Sequence, residues 1–494
     1  MNAPIQISDL LACSPAAPRE APPADRCAPA AAPSALVIDE ELLRRFGGRG
    51  PRYTSYPTAD RFQPTFPSGD YARALAARRD RRDDALGLYL HLPFCKSICW
   101  YCACHKIGTR HESMARPYVD ALCREIDLVA ALTGSGQRIN HLHFGGGTPT
   151  FMSDAELGEL MQHLRQVFEF APDGEYSIEI DPRSVDPARL QALRALGLNR
   201  ISLGVQDFDH DVQAAVNRIQ PYELTRALID AGRRLGFDSI NIDLIYGLPK
   251  QNTARFERTL ERVVAARPDR IALYHYAHLP TLFKPQRRII SADLPDSAEK
   301  GRMFAMAVAA LEAAGYRHLG LDHFALDSDE LSVAQREGRL HRNFQGYVSH
   351  APGDLIAFGV SAISCVGDVY AQNDKELEPY YAALADGRLP TVRGLSMSRD
   401  DRIRRSAIQA LMCDFRLRWA ELDRQHGIAS RDWLADALPA LEPLAQAGAI
   451  SIRPDGIDIE PTGRLLVRAV AMAFDRYLGA GAQAPAASSY SRIA

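Results

Sequence analysis

The run HLPFCKSICWYCAC at residues 91–104 decides how the rest of the chain is interpreted. It holds Cys95, Cys99 and Cys102 in CxxxCxxC spacing, and it directly follows a strand-like segment at residues 88–92. Three thiolates at this spacing can bind three irons of a cubane iron–sulfur cluster. Most such clusters use four cysteines, so the loop predicts a cluster whose fourth iron is open to a ligand from outside the protein.

Two other interpretations of this cysteine loop stay open on the residues alone. Cys104 and His105 follow closely, which allows a structural zinc site of the Cys3His type. A fourth ligand only two residues after Cys102 would be cramped for tetrahedral closure, and no second cysteine pair follows. The remaining alternative is a set of thiols that bind nothing.

The segments that follow have the pattern of a parallel βα array, because short β-like runs alternate with amphipathic helical stretches. Six strands are predicted, at residues 88–92, 141–144, 176–180, 200–205, 239–244 and 270–276. In the first five, apolar and polar side chains alternate, so one face of each strand is polar. A closed barrel fills its lumen with aliphatic side chains, and the sequence therefore predicts an open, partial (β/α)6 barrel of the TIM type with a ligand in its lumen. For any single position, a hydrogen-bonded core residue is the simpler interpretation.

The turns after the first two strands are expected to carry the site. The cysteine loop follows the first strand, and the run GGGTPT at residues 145–150 follows the second. Both therefore lie at the C-terminal rim, where barrel enzymes keep their active sites. Glycines there let the backbone approach a ligand and offer N–H groups to a carboxylate, although a glycine run by itself is equally an ordinary turn.

Composition favours a cytoplasmic enzyme of more than one domain. The chain has 494 residues, enough for a large core. A formal net charge of -3 gives no basic footprint for nucleic acid, and no apolar run reaches the length of a membrane-spanning helix. Nine cysteines, several of them at ligand spacing, are typical of a reducing compartment.

Composition shifts along the chain predict six segments. They are a disordered Ala/Pro-rich tail (1–35), an N-terminal segment able to cover the active site (36–85), the partial barrel (86–325), a connecting and substrate-covering region (326–395), a mostly helical C-terminal domain with a winged-helix-like hairpin at residues 455–456 (396–480), and a flexible tail (481–494). Acidic residues in the C-terminal domain argue against a DNA-binding role for this layout.

The cysteine motif resembles that of the radical S-adenosylmethionine (SAM) superfamily, and its surroundings resemble one family within it, the oxygen-independent coproporphyrinogen III oxidases. The resemblance runs from about residue 50 to the C-terminus. It includes GPRYTSYPTA (50–59), GGGTPT (145–150), GVQDF (204–208), NIDLIYGLPK (241–250), AQREG (334–338) and HRNFQGY (341–347). Six matches in the same order make a chance likeness improbable.

The resemblance implies a set of cofactor ligands. Cys95, Cys99 and Cys102 would bind a [4Fe–4S] cluster. A first SAM would contact Tyr89, Gly146, Glu179, Gln206, Arg218, Asp243 and Ala277. A second SAM would contact Tyr101, Gly147, Thr148 and Ile363, with Tyr101 in place of the phenylalanine expected there. Cys104 is a candidate catalytic residue, since the related haem-chaperone branch resembles CxxxCxxCxF and has no cysteine at that place; a spare buried thiol is the alternative.

The resemblance also implies a reaction, the oxidative decarboxylation of two propionates of coproporphyrinogen III to vinyl groups, with an electron donor and an electron acceptor as partners. The chain is expected to act as a monomer, without nucleic acid or membrane. Two alternatives are a haem-binding or haem-delivery protein of the same superfamily and a different radical SAM enzyme, such as a methyltransferase. Cations suited to the four substrate carboxylates are Arg287, Arg288, Arg342, Arg404 and Arg405, each of which could equally be a solvated surface arginine.

Overall fold

The computed structural model describes residues 36–349, 353–478 and 490, and these residues form two compact units. The first unit comprises residues 63–303 and 353–396, and the second comprises 36–62, 304–349, 397–478 and Tyr490. The division between the units runs through the predicted segments 36–85 and 326–395. The predicted tails at 1–35 and 481–494 lie outside the described residues, apart from Tyr490.

A parallel sheet forms the centre of the first unit and confirms the predicted radical SAM type of α/β fold. Its strands, called the first to the sixth below, are Leu86–Leu92, Gln137–Gly146, Phe168–Ile180, Arg200–Gln206, Ser239–Tyr246 and Arg270–His275. Each strand pairs in parallel with the next one in chain order. All six predicted strands are therefore present, several of them longer than predicted.

The sheet continues beyond the first strand with segments that the sequence did not predict. Asp354–Phe358 pairs in parallel with the first strand, so the first strand has neighbours on both sides. The strands Ile363–Val366, Val369–Asn373 and Thr391–Ser396 then follow in antiparallel order. A short parallel pair, Phe94–Cys95 with Ile107–Gly108, lies just after the first strand.

Helices connect the strands of the first unit. They are Ser68–Ala76, Ala115–Thr133, Asp154–Val167, Pro187–Ala195, His210–Ala215, Tyr222–Arg234, Thr253–Ala266 and Leu377–Ala385. Local chemistry fixes where they begin: Ser153 and Glu156 form a capping box at the start of Asp154–Val167, and the Asn252 side chain caps Thr253–Ala266. Helix Ser297–Ala313 contains the division between the two units.

The strands bury one face fully and leave the other partly open, as the alternation predicts. In the fourth strand Ile201, Leu203 and Val205 are buried, whereas Ser202 and Gln206 are only half-buried. The second, third and fifth strands show the same alternation. Since the apolar face packs under the helices, the polar side chains line the inside of the sheet.

The second unit is mostly helical and has its own hydrophobic core. Its helices are Glu40–Phe46, Glu330–Arg336, Arg399–Asp414, Trp419–His426, Ser430–Trp433, Leu438–Gln446 and Val467–Met472. Its strands form the hairpins Tyr316–Gly320 with His323–Leu326 and His341–Asn343 with Gly346–Val348, and a sheet of Arg416–Arg418, Gly456–Ile459 and Ile450–Arg453. The predicted hairpin near residue 455 is therefore present. Its core includes Ile403, Leu411, Leu441, Val467 and Phe474.

None of the described helices combines the length and the apolar character that crossing a membrane would need.

Candidate active site

The cysteine loop is held in place by backbone hydrogen bonds to both of its ends. Ile107 N donates to Pro93 O (2.8 Å), and Thr109 N donates to Cys95 O (3.0 Å). Further along the loop, Trp100 N donates to Val216 O (3.0 Å). The three cysteines are therefore fixed by the main chain at the end of the first strand.

The glycine run after the second strand lies directly against this loop. Gly147 N donates to Leu92 O (2.8 Å), and Thr148 N donates to Phe94 O (2.9 Å). A Cβ atom at Gly147 would lie 2.4 Å from Pro93 O, so a glycine is needed for this approach. The Thr148 hydroxyl then reaches the Cys95 sulfur at 3.4 Å.

Two guanidinium groups surround the sulfur of Cys99. Arg218 Nη1 lies 3.3 Å from it and Arg183 Nη2 lies 3.6 Å from it. Both arginines also bind the carboxylate of Asp181, at 3.2 Å and 2.6 Å. Two cations beside one carboxylate leave one positive charge, which a thiolate at Cys99 would balance.

Cys102 and Cys104 form a thiol pair at the end of the motif. Hydrogen bonding from Cys104 lowers the pKa of Cys102 to about 6, even though burial opposes this, and the Lys106 charge acts in the same direction. Lys106 Nζ also binds the carbonyls of Cys102 and Cys104, at 3.0 and 3.2 Å. Both effects favour the thiolate form of Cys102.

These contacts fit an iron–sulfur cluster held by Cys95, Cys99 and Cys102, because thiolate ligands of clusters characteristically accept hydrogen bonds at sulfur. A hydroxyl reaches the Cys95 sulfur and a guanidinium reaches the Cys99 sulfur, and Cys104 and Lys106 lower the pKa of Cys102. Within the described part of the chain, no three His, Cys, Asp or Glu side chains are grouped to hold a single metal ion. The Cys3His zinc site that the sequence allowed is therefore not preformed there.

Hydrogen bonds join two polar side chains of the first strand to the cysteine loop. His91 Nε2 lies 3.1 Å from the His105 carbonyl, and His91 Nδ1 lies 3.0 Å from the Tyr89 hydroxyl. Burial, the main cause, and the charge of His105, the second cause, lower the pKa of His91 to about 4. The His91 ring is therefore neutral near pH 7. A carbonyl only accepts, hence Nε2 carries the proton and Tyr89 donates to Nδ1.

Glu179 is the acceptor at the other end of this polar group. Its carboxylate lies 3.3 Å from His143 Nε2 and accepts from Gly146 N at 3.1 Å. The His143 ring stacks on Tyr89 with centroids 5.8 Å apart. Burial alone would raise the pKa of Glu179, but the hydrogen bond from His143 and the Gly146 N–H lower it below its usual value. The carboxylate is therefore ionised and still 42 % exposed.

Asp243 on the fifth strand is a second carboxyl inside the barrel. It accepts from Asn241 Nδ2 at 2.8 Å and from Ser202 Oγ at 3.3 Å. Burial and the charge of Glu179 raise the pKa of Asp243 to about 7. The pKa values of the two carboxyls are thus shifted in opposite directions. Glu179 is charged near pH 7, whereas Asp243 titrates near neutral pH.

The remaining residues predicted from the resemblance lie in the same unit. Gln206 has φ 71° and places its amide beside Gly204 and Arg218. Burial raises the pKa of Tyr101 well above its usual value, and the Tyr101 carbonyl accepts from Gln286 Nε2 at 3.0 Å. Ala277 follows the sixth strand, and Ile363 begins a strand two places beyond the first.

Several site residues were missed by the sequence reasoning. His91, His143, Asn241 and Ser202 fall on the polar side of their strands, and that period-2 signal could have selected them. Arg183 had no such signal, because it lies in a short turn after the third strand, where no periodicity applies.

The arginines proposed for substrate carboxylates have different surroundings. Arg404 pairs with Asp400 at 2.9 Å and Asp436 at 2.8 Å. Arg287 Nε donates to the Pro280 carbonyl, and the Arg288 guanidinium lies 5.9 Å from the Trp100 ring centroid. Arg404 therefore already has carboxylate partners within its own unit.

Comparison with known proteins agrees with this geometry. The family model "Radical SAM superfamily" matches residues 89–263, and "HemN C-terminal domain" matches residues 397–466. The oxygen-independent coproporphyrinogen III oxidase of Pseudomonas aeruginosa is 49 % identical over 442 residues, covering 89 % of this chain and 96 % of that protein. The protein of the same name from Escherichia coli is 47 % identical over 440 residues, covering 89 % and 95 %.

A solved structure gives the same result in three dimensions. The coproporphyrinogen III oxidase of Escherichia coli, described as a radical SAM enzyme, superposes with a TM-score of 0.86 at 45 % identity, covering 90 % of this chain and 100 % of that one. Identity at this level over nearly the whole length of both chains is not a likeness of fold alone. This chain belongs to the oxygen-independent coproporphyrinogen III oxidases, a family of radical SAM enzymes.

Proposed function

We propose that this protein catalyses the oxygen-independent oxidative decarboxylation of two propionates of coproporphyrinogen III to vinyl groups, which yields protoporphyrinogen IX for haem biosynthesis. The observation that carries the proposal is the three-cysteine loop at the rim of a polar barrel, in a chain that matches these oxidases over almost its full length. When bound, a [4Fe–4S] cluster and SAM supply the 5′-deoxyadenosyl radical that breaking an unactivated C–H bond requires.

We assign the cluster to Cys95, Cys99 and Cys102. Arg218 and Arg183 support this role, because they hold positive charge at the Cys99 sulfur, and Thr148 supports it by donating to Cys95. Cys104 acts on the site through its hydrogen bond to Cys102. Its part is to keep that sulfur ionised.

We assign SAM to the polar inside of the barrel. Glu179 is ionised and can accept hydrogen bonds from an ammonium group, and Asp243 can accept from ribose hydroxyls. The first molecule would use Tyr89, Gly146, Glu179, Gln206, Arg218, Asp243 and Ala277. A second molecule would use Tyr101, Gly147, Thr148 and Ile363.

Arg218 already has three polar partners at the rim of the barrel. Its guanidinium already binds Cys99, Asp181 and the Gly204 carbonyl. We therefore propose that Arg218 acts on SAM mainly through the position and charge of the cysteine loop, and offers the ligand a positive field at the rim.

We further propose that the protein works as a cytoplasmic monomer with a separate electron donor and acceptor. All seven cysteines in the described residues are free thiols, as expected in a reducing compartment. Size-exclusion chromatography with light scattering would measure the oligomeric state, and a dimer at micromolar concentration would contradict this part.

The direct test is an anaerobic assay with reconstituted protein, dithionite, SAM and coproporphyrinogen III, followed by mass spectrometry. We expect protoporphyrinogen IX, methionine and 5′-deoxyadenosine. Bound haem without any decarboxylated product would favour the haem-delivery alternative. S-adenosylhomocysteine in place of 5′-deoxyadenosine would favour a methyltransferase.

A further inference from the structure

Two of the sequence stretches that mark the family take no part in the cofactor site, and they meet in the second unit. GPRYTSYPTA supplies Arg52 and HRNFQGY supplies Arg342. Arg342 Nε donates to the Arg52 carbonyl at 3.4 Å, and the Arg52 guanidinium forms an ion pair with Asp322. We call Arg52, Arg342, Arg468 and Asp322 the buried arginine cluster.

The cluster is closed off from solvent on most sides. Arg342 is 3 % exposed, Arg468 is 2 % exposed and Asp322 is 6 % exposed. The Arg52 side chain is 35 % exposed and is the most accessible member of the cluster.

The single carboxylate of the cluster is already engaged. Asp322 binds Arg52, and its other oxygen lies 2.8 Å from His323 Nδ1. Arg468 donates to the carbonyls of Gly50 and Pro51, which are neutral acceptors. The charge of Asp322 thus interacts with the guanidinium groups of Arg52, Arg342 and Arg468.

Arg342 is the member of the cluster with an unused donor. Its guanidinium stacks over the Tyr347 ring, 4.8 Å from the centroid, and its Nη1 is buried without a hydrogen-bond partner. Tyr347 is fixed in turn, because its hydroxyl donates to the Met412 carbonyl at 2.9 Å. A buried charged donor without a partner is costly, and proteins normally pair such groups.

The electrostatics of the neighbouring groups agree with an excess of positive charge. Burial, and then the charge of Arg52, lower the pKa of Arg468 to about 9. Asp322 has its pKa held well below its usual range by Arg52 and His323 despite burial. An entering carboxylate would therefore meet a net attractive field.

We propose that the buried arginine cluster binds one propionate carboxylate of the porphyrinogen substrate, with Arg342 Nη1 as a direct donor. The inference rests on the proposed function, since it takes its ligand from that reaction. A carboxylate suits the site because a guanidinium presents parallel N–H donors to its two oxygens. Coproporphyrinogen has four carboxylates, more than any other reactant of the proposed reaction.

The test measures binding of coproporphyrin III, the oxidised porphyrin that keeps all four propionates, to the full-length holoenzyme by fluorescence titration. Arg342→Gln should weaken binding by about 10- to 100-fold, the effect of losing a charge-assisted hydrogen bond. SAM affinity and iron content should stay at the wild-type value. The tetramethyl ester of coproporphyrin III, which has no carboxylates, should bind equally weakly to both proteins.

Arg404→Gln is the matched control, because Arg404 is also a buried arginine of the second unit but has Asp400 and Asp436 as partners. It should lower the melting temperature and leave porphyrin affinity unchanged. Arg342→Gln should lower the melting temperature of the ligand-free protein less than Arg404→Gln does, since the Arg404 variant breaks two ion pairs. Arg342→Lys keeps the charge without the fork and should lose part of the affinity.

Three outcomes would overturn the inference. One is equal porphyrin affinity of wild type and Arg342→Gln, and another is an equal loss of affinity in Arg404→Gln. The third is a melting temperature that rises with inorganic phosphate or propionate alone in an Arg342-dependent way, while porphyrin affinity stays independent of Arg342. Turnover by the wild type distinguishes the failure of this inference from the failure of the proposed function. If the wild type decarboxylates the substrate but porphyrin affinity does not depend on Arg342, only the inference fails. If porphyrin affinity depends on Arg342 but no product forms, only the proposed function fails.

Discussion

Asp243 is the residue whose charge should matter most for SAM. Asp243→Asn keeps the shape and the acceptor for Asn241 but removes the charge. SAM affinity should fall by about 1.5–3 kcal/mol, the free energy of a charge-assisted hydrogen bond. Isothermal titration would measure this, with iron content and melting temperature expected to change little. Unchanged affinity with a lowered melting temperature would mean that Asp243 is an ordinary core residue.

The same carboxyl predicts a pH dependence. Burial and Glu179 raise the pKa of Asp243 to about 7, so the wild type loses this charge as the pH falls through about 7. SAM affinity should therefore decrease from pH 8 to pH 6 in the wild type and stay flat in Asp243→Asn.

Tyr89→Phe, which removes the donor to His91, is a companion variant that should lose SAM affinity and keep its iron.

The cysteines give a test with internal controls. Replacing Cys95, Cys99 or Cys102 by serine should abolish the cluster, because each supplies one iron ligand. Cys123→Ser should keep about four irons per chain, since Cys123 lies on helix Ala115–Thr133, away from the loop. Iron analysis and visible absorbance after anaerobic reconstitution would show this. A full cluster in Cys99→Ser would contradict the assignment.

At the scale of elements, the contact between the glycine run and the cysteine loop predicts the effect of one methyl group. Gly147→Ala would bring a Cβ to 2.4 Å from the Pro93 carbonyl oxygen and 2.9 Å from that of Phe94. Because both are backbone atoms, the two turns must separate, and iron incorporation and SAM affinity should both fall.

Gly158→Ala is the control for this substitution. Gly158 lies inside helix Asp154–Val167, and the nearest atom to an added Cβ is 3.7 Å away. This change should stabilise the helix by up to about 1 kcal/mol. Equal behaviour of the two variants in iron content would contradict the close contact at Gly147.

Glu125 joins the helix after the cysteine loop to the unpredicted edge of the sheet. Its carboxylate accepts from Gly359 N at 2.8 Å, Asn373 Nδ2 at 2.6 Å and the Tyr380 hydroxyl at 2.7 Å. Glu125→Leu leaves three buried donors without an acceptor and should lower the free energy of unfolding by about 3–5 kcal/mol. Glu125→Gln keeps an acceptor and should cost less than half of that.

The stability that Glu125 contributes should depend on pH, and denaturation at several pH values would measure this dependence. Burial raises the pKa of Glu125 to about 7, above its value in the unfolded chain. The Glu125 carboxyl therefore contributes its full stabilisation below about pH 4.5 and loses it as the pH rises through about 7. The stability difference between wild type and Glu125→Gln should shift in favour of the variant between pH 5 and pH 8, and no such trend would contradict the raised pKa.

The sequence predicted six strands, and in the first five the signal is the alternation of apolar and polar residues. The burial of the second to the fifth strand confirms this alternation. The prediction missed Asp354–Phe358 because that strand is buried at every position and so has no alternation. The strands that follow are short and are separated by Gly359 and Gly367 turns with positive φ. Contacts such as Arg183 with Cys99 depend on the folded path of two loops, which no local pattern encodes.

At the scale of the whole molecule, a cluster with one iron open to an outside ligand is readily attacked by oxygen. Activity should therefore fall on exposure to air and return after anaerobic reconstitution with iron and sulfide. Product formation and iron content would be measured together on the same samples. Sustained turnover in aerated buffer would contradict the proposed chemistry.

The position of Asp354–Phe358 beside the first strand affects how the chain folds during translation. The first strand gains its neighbour Gln137–Gly146 early, but its partner on the other side is more than 250 residues away along the chain. Pairing over such a separation is slow to form, and a ribosome must release almost the whole barrel before this edge can close. An open strand edge is a template for pairing with other chains, so the nascent polypeptide is at greatest risk of aggregation just before residue 354 emerges.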